Sequence, residues 1–200
     1  MYEEIKALEE KVRKYREQNN VETEDNYKKK KDYVLDLNDL IHISSRFYGS
    51  HEYSIFINNY LEDIFKLSFN DKFKLLKELY CTAKDCSTIG DIIQALIKNK
   101  KVPSDELENI KKNFKSVAYR GYNGINKKDG CSYTLDFDVA KWFSRRFKVL
   151  EPAEMYVMQI KIKLEDVIFY NEYEKEVFIR KDKLDKKKKN IIYNVKEEEE

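Results

Sequence analysis

An arginine beside a glycine, a Ser-x-Thr step and a Glu-x-Glu step follow one another between Arg120 and Glu176. Each residue type suits one part of a reaction at a phosphorylated sugar. An arginine holds a diphosphate by a bidentate, charge-assisted fork. A carboxylate stabilises a positive, oxocarbenium-like sugar as a glycosidic bond opens. A hydroxyl beside that carboxylate sets its rotamer. Three of the five glycines (Gly121, Gly124 and Gly130) fall in this stretch, so the backbone there turns sharply or lets something come close. On composition alone the stretch reads as a hairpin loop, because Gly and Asn mark turns more often than sites. Glu172, Glu174 and Glu176 alternate, and an extended backbone would set them on one face. Like charges so close raise one another's pKa unless a cation or donor stands opposite. The commoner fate of such a cluster is a solvated edge. Glu176 opens the apolar run Val177-Phe178-Ile179 and lies nearest the core.

The elements that would position these residues change character along the chain. Ile5, Leu8, Val12 and Tyr15 make a narrow helical stripe, followed by a polar stretch and the run Lys28–Lys31, read as a solvated linker. Helical spacing predicts helices over Tyr33–Phe47 and Tyr53–Leu67, one started by Asn70 through Leu79, one from Ser87 or Thr88 to Ile97, and one over Asp105–Phe114. From Ser116 the pattern turns to strands: Ser116–Arg120, a strict period of two from Tyr156 to Leu164, then Val167–Phe169, Val177–Ile179 and Ile191–Val195. Asp136 is placed to cap a helix over Phe137–Phe147. Lys181–Asn190 reads as a loop. Helices first, strands after, with one embedded helix, argue an α+β protein: a helical N-terminal lobe over 1–115 and a mixed, mainly antiparallel core over 116–200, packed as one unit.

The stretch from Val117 to Ile179 resembles the arginine–serine–glutamate class of ADP-ribosyltransferases, a family of bacterial toxins, phage-encoded enzymes and vertebrate ectoenzymes. Four motifs carry the resemblance: Val117-Ala118-Tyr119-Arg120-Gly121, Gly130-Cys131-Ser132-Tyr133-Thr134, Asp138-Val139-Ala140-Lys141-Trp142-Phe143 and Glu174-Lys175-Glu176-Val177. It implies an ADP-ribosyltransferase-like β core and a glycosyltransferase that moves ADP-ribose from NAD, as substrate, to a protein arginine, releasing nicotinamide. Arg120 would contact the NAD phosphates or ribose, and Gly121 would offer its backbone to the nicotinamide amide. Ser132, supported by Thr134, would orient Glu176. Glu176 would bind the nicotinamide ribose and stabilise the oxocarbenium, and Glu174 would engage the acceptor guanidinium. Tyr119 or Tyr122 would stack on the nicotinamide ring. Only 12 positions lead from Arg120 to Ser132. That is shorter than in toxin and ectoenzyme members and implies that the element covering the nicotinamide is absent or reduced. The same site could pass the sugar to water, as an NAD glycohydrolase, or the fold could be a catalytically inactive interaction module that docks through its helical half.

Composition bounds the rest. With 39 Lys+Arg against 37 Asp+Glu in 200 residues, the net charge of +2 does not indicate a nucleic-acid binder. Few Gly and Pro favour long helices and well-formed strands over many short turns. Three cysteines cannot all pair within the chain, the first residues lack a signal peptide's apolar run, and no stretch approaches the ~20 apolar residues of a membrane span. The expectation is a cytoplasmic protein, made for action there or in a host cell, with NAD and an acceptor protein as partners and no membrane. His42, His51, Cys81 and Cys86 fit no familiar zinc spacing. His42 and the cysteines are expected in the core, as are Trp142 and Phe143. No metal is expected, since a cationic sugar calls for a carboxylate and not a Lewis acid.

Overall fold

The computed structural model describes residues 35–45, 50–83, 87–123, 130–146 and 155–194. The stripe from Ile5 to Tyr15, the run Lys28–Lys31, Gly124 and Cys86 lie outside them. The protein is α+β, with helices in the N-terminal half and an antiparallel sheet in the C-terminal half. Among the described residues no helix is long and apolar enough to cross a membrane.

The chain forms two compact units, Met1–Leu96 and Ile97–Glu200. The first holds α1 (Leu37–Ser44), α2 (Ser50–Asn59), α3 (Leu61–Lys66), α4 (Phe69–Thr82) and most of α5 (Ser87–Ile97). Asp36 and Asp39 form a reciprocal cap at the start of α1, each carboxylate accepting the other's backbone N–H. The helix expected over Tyr53–Leu67 is two, because the backbone leaves helical geometry at Tyr60 (φ −114°, ψ 17°). Ser68, not Asn70, caps α4, its hydroxyl accepting the Asp71 N–H. Leu40, Phe56, Leu75 and Leu79 fill the core, and the hydroxyls of Tyr53 and Thr82 meet at 2.8 Å to tie α2 to α4. His42 is exposed on the last turn of α1 instead of buried, and Cys81 is half-buried.

The second unit starts earlier than the expected boundary at 115/116 because α6 (Ser104–Asn113) packs on the sheet. Arg180 closes this unit's start, donating to the carbonyls of Ile97 and Lys100. Among the described residues six strands run in the order β4-β5-β2-β1-β3-β6, every neighbouring pair antiparallel. They are β1 (Val117–Tyr122), β2 (Ser132–Thr134), β3 (Tyr156–Lys161), β4 (Val167–Asn171), β5 (Glu176–Ile179) and β6 (Asn190–Asn194). On one face, Ile110 of α6 joins Ala118, Tyr133, Ile160, Val177 and Ile179 in a core. On the other lies α7 (Phe137–Arg145), capped by the Asp136 carboxylate as expected. Gly121, three residues from Ala118 and so on the opposite face, lets α7 close on the strand. A Cβ at Gly121 would stand 2.1 Å from the Ala140 carbonyl and 2.5 Å from the Ser144 nitrogen.

Two expectations fail here. Lys181–Leu184 is a short helix, α8, inside the segment read as a loop. Its polar residues hide one anchor, Leu184, which is buried in the core. Trp142 is 55% exposed, not core. It packs edge-on against Phe143 under the Arg146 guanidinium, because α7 lies on the sheet through Ala140 and Ser144.

Candidate functional site

Register sets the site. Thr134 of β2 stands opposite Tyr119 of β1 on one side and Glu176 of β5 on the other. Side chains alternate along strands, so Ser132, Thr134 and Glu176 share the Gly121 face. Ser132 and Glu176 are diagonal neighbours, close enough for the Ser132 hydroxyl to donate to Glu176 Oε1. Asn171, the β4 residue opposite Glu176, lies at hydrogen-bond reach of its second oxygen, Nδ2 to Oε2 being 3.5 Å. Glu176 is 7% exposed and Asn171 5%. Burial pushes the Glu176 carboxyl above its ordinary range. The Ser132 hydrogen bond opposes that, the Glu174 charge adds to it, and Asn171 and the Arg120 charge pull it back down.

The turn before Glu176 is pinned from two sides. Thr134 Oγ1 donates towards the carbonyls of Glu174 and Lys175, at 3.0 and 3.2 Å, and Leu135 donates its N–H to the Lys175 carbonyl. Lys175 itself has φ 47°, the left-handed region that reverses the chain in a tight turn. Its ammonium reaches the Asp136 carboxylate at 2.6 Å. That contact holds Asp136 below and Lys175 above its ordinary pKa. Glu172 and Glu174 therefore sit in a hairpin turn, exposed, and do not share a strand face with Glu176. The period-two expectation fails because the chain reverses between them.

Arg120 is not brought to the same face. It stands two residues from Ala118, on the Tyr133 side of β1, with its guanidinium carbon 6.0 Å from the Tyr133 ring centre. From there it bends back, donating to the Ser132 carbonyl at 2.6 Å. It lies against Gly130, where a Cβ would come within 2.5 Å of Nη2. Glycine thus makes room for the guanidinium beside Ser132. Tyr122, also on the Arg120 side, packs on Tyr156 at 4.8 Å. Tyr119 is on the Glu176 face and meets the edge of Phe137. Gly121 carries a packing reason in addition to the role implied by the resemblance.

Beside this site a cavity of about 470 Å³ opens between Lys115, Tyr119, Asp136 and Phe137, next to the pinned turn. Glu176 and Ser132 do not line it. Asn171 carries no signal in the sequence beyond its position at the end of an apolar run, five residues before Glu176. Tyr173, 97% exposed at the tip of the turn, is likewise unmarked by any motif. Among the described residues no group of three or more His, Cys, Asp or Glu could hold a metal ion, and Cys86 and the His51 side chain lie outside them. No family model, no curated protein and no solved structure matches the chain.

Proposed function

We propose that the protein is a cytoplasmic mono-ADP-ribosyltransferase that uses NAD as substrate and modifies a protein arginine. The observation that carries this reading is the Ser132 hydroxyl donating to a buried carboxylate, Glu176, across adjacent strands, with Glu174 in the turn just before it. In the proposed reaction the bond between ribose C1′ and the nicotinamide nitrogen breaks, and its electron pair leaves with nicotinamide. Ionised Glu176 stabilises the positive charge that develops on the sugar, in a site of low dielectric where the interaction is strong. A guanidine nitrogen of the acceptor then bonds to C1′ and loses a proton to Glu174 or water. Ser132 holds the Glu176 rotamer. Arg120, half-exposed and held at the Ser132 carbonyl, would supply the positive charge that meets the diphosphate.

The test is nicotinamide release from NAD, with and without cell lysate, for the wild type and Glu176→Gln. Release that depends on Glu176, rises with lysate and accompanies labelled ADP-ribose on protein arginine is the expected result. Release indifferent to lysate would replace transferase by NAD glycohydrolase. No release at millimolar NAD in either condition would overturn an NAD-consuming function altogether.

A further inference from the structure

No step of the proposed reaction uses the cavity of about 470 Å³ past the end of β2. Val117 and Tyr119 of β1 line it from the Glu176 face of the sheet, and Leu135, Asp136 and Phe137 line it where β2 leads into α7. It is ligand-sized, since ligand pockets run from about 300 to 1,000 Å³. Its charge is one-sided. The Asp136 carboxylate is occupied: one oxygen accepts the Asp138 and Val139 N–H groups, and the other holds the Lys175 ammonium. Lys115, also in the lining, donates to the Leu135 carbonyl at 3.2 Å and meets no carboxylate among the described residues. Nor does Lys161, which stands opposite Val117 on β3 and shares its face. Both lysines are exposed. Two such cations beside aromatic and aliphatic walls suit a carboxylate carried on a short apolar stem.

Placement says whose carboxylate it is. Arg120, the proposed diphosphate anchor, holds the Ser132 carbonyl at the start of β2. Glu174 lies at the other end, where Thr134, the last residue of β2, donates to its carbonyl. Leu135 comes next and joins the acidic turn to the cavity wall. It gives its N–H to the Lys175 carbonyl and accepts from Lys115 at its own. With the diphosphate at one end of β2, the acceptor arginine reaches Glu176 past Glu174, on the cavity's side. Glu176 and Tyr119 flank Thr134 on neighbouring strands. Two strand spacings, about 10 Å, therefore separate the reacting carboxylate from the cavity wall, and an extended chain covers that in about three residues.

We propose that this cavity is an acceptor subsite, which takes a Glu or Asp side chain within about three residues of the modified arginine. Lys115 and Lys161 meet its carboxylate, and Tyr119 and Phe137 wall its stem. The inference rests on the transferase reading and adds to it the sequence preference of the acceptor.

Two synthetic peptides test it on the full chain. Each carries a single arginine, with glutamates at the second and third positions on both sides in one peptide and lysines there in the other. With NAD, labelled ADP-ribose should go to the glutamate peptide with a kcat/KM about five- to tenfold higher, the scale of replacing an exposed attraction by a repulsion. Salt of about 0.5 M should shrink that ratio, since exposed charges are then screened within a few ångströms. Lys115→Glu should abolish or reverse it. The ratio is the readout because a general loss of activity leaves it unmoved. Should Lys115→Glu fail to fold by circular dichroism, Lys161→Glu is read in its place, with the same expectation. Equal rates on the two peptides overturn the proposal. So does a folded variant that keeps the wild-type ratio; a raised KM for NAD in that variant would give the cavity to NAD instead. A wild type that labels lysate protein but neither peptide also overturns it, by placing recognition elsewhere. Each of these results leaves the transferase reading standing. A wild type that labels no protein in lysate removes that reading, and this inference with it.

Discussion

Glu176 concentrates the opposing demands on the site in one side chain. It is buried where a charge is costly, and a hydroxyl and an amide only partly relieve that cost. Its pKa is raised in the folded state, so the folded protein holds this proton more tightly than the unfolded chain does. Stability from this group is therefore present on the acid side and is lost as pH rises from the unfolded value through the folded one. Glu176→Gln keeps the shape and removes the ionisation. It should unfold at a higher temperature than the wild type at neutral pH, with the difference closing below about pH 4, the ordinary carboxylate value. Equal melting temperatures at all pH would mean that the carboxylate is not buried in solution. Glu174 is exposed in the turn, so its removal should leave folding intact. If the proposed function holds, Glu174→Gln should lose most labelled transfer to protein while retaining nicotinamide release. Parallel loss of both would assign Glu174 to bond cleavage instead of acceptor binding.

At the scale of elements, α7 is the part on which the site leans. It closes on β1 through Gly121 and is tied to the acidic turn through Asp136 and Lys175. Gly121→Ala drives a methyl into backbone atoms of α7, which cannot swing aside. The expected loss is about 1–3 kcal/mol, the usual range for overpacking, read as a shift in the denaturant midpoint. Gly130→Ala meets only the end of the Arg120 side chain, so it should change stability by less than about 0.5 kcal/mol, as surface changes do. Equal effects from the two would show that α7 does not sit on Gly121. Asp136→Ala removes the helix cap and should cost about 1 kcal/mol. Asp136→Asn keeps a cap and loses the ion pair with Lys175. Asp136 is held below its ordinary pKa, so its charge contributes stability above that value and the contribution fades as pH falls through the folded one. The wild type's advantage over Asp136→Asn should fade the same way, which a pH series of urea melts would follow.

At the scale of the molecule, the second compact unit carries the whole Ser132–Glu176 site and a core of its own. Arg180 fastens its beginning to the end of β5. A fragment spanning 97–200 should therefore fold alone, with a single cooperative urea transition followed by Trp142, the only tryptophan in the chain. A fragment cut at 116, which lacks α6 with its Glu106 and Ile110, should lose that cooperativity. If both fragments melt alike, α6 is dispensable, and the division at 115/116 read from the sequence is the better one.

Much of this is legible in the sequence because it is local. The period of two in Tyr156–Lys161, the Asp136 cap and the order of helices before strands follow from each residue's preference for nearby backbone geometry. The expectation that Ser132 orients Glu176 is not local: it rests on the resemblance of the four motifs to a known family. Other features needed the tertiary structure. The hydrogen bond between Ser132 and Glu176 spans 44 positions and depends on the β2–β5 register, in which a slip of one residue would send every side chain to the other face. The same parity parts Arg120 and Tyr122 from Glu176, although all were expected in one site. It also brings up Asn171, which no spacing rule marks. Whether Glu172 and Glu174 share a face depends on where the chain reverses, and whether Trp142 is buried depends on which side of α7 meets the sheet. Local preference chooses the elements; only their pairing across the sheet decides which side chains meet.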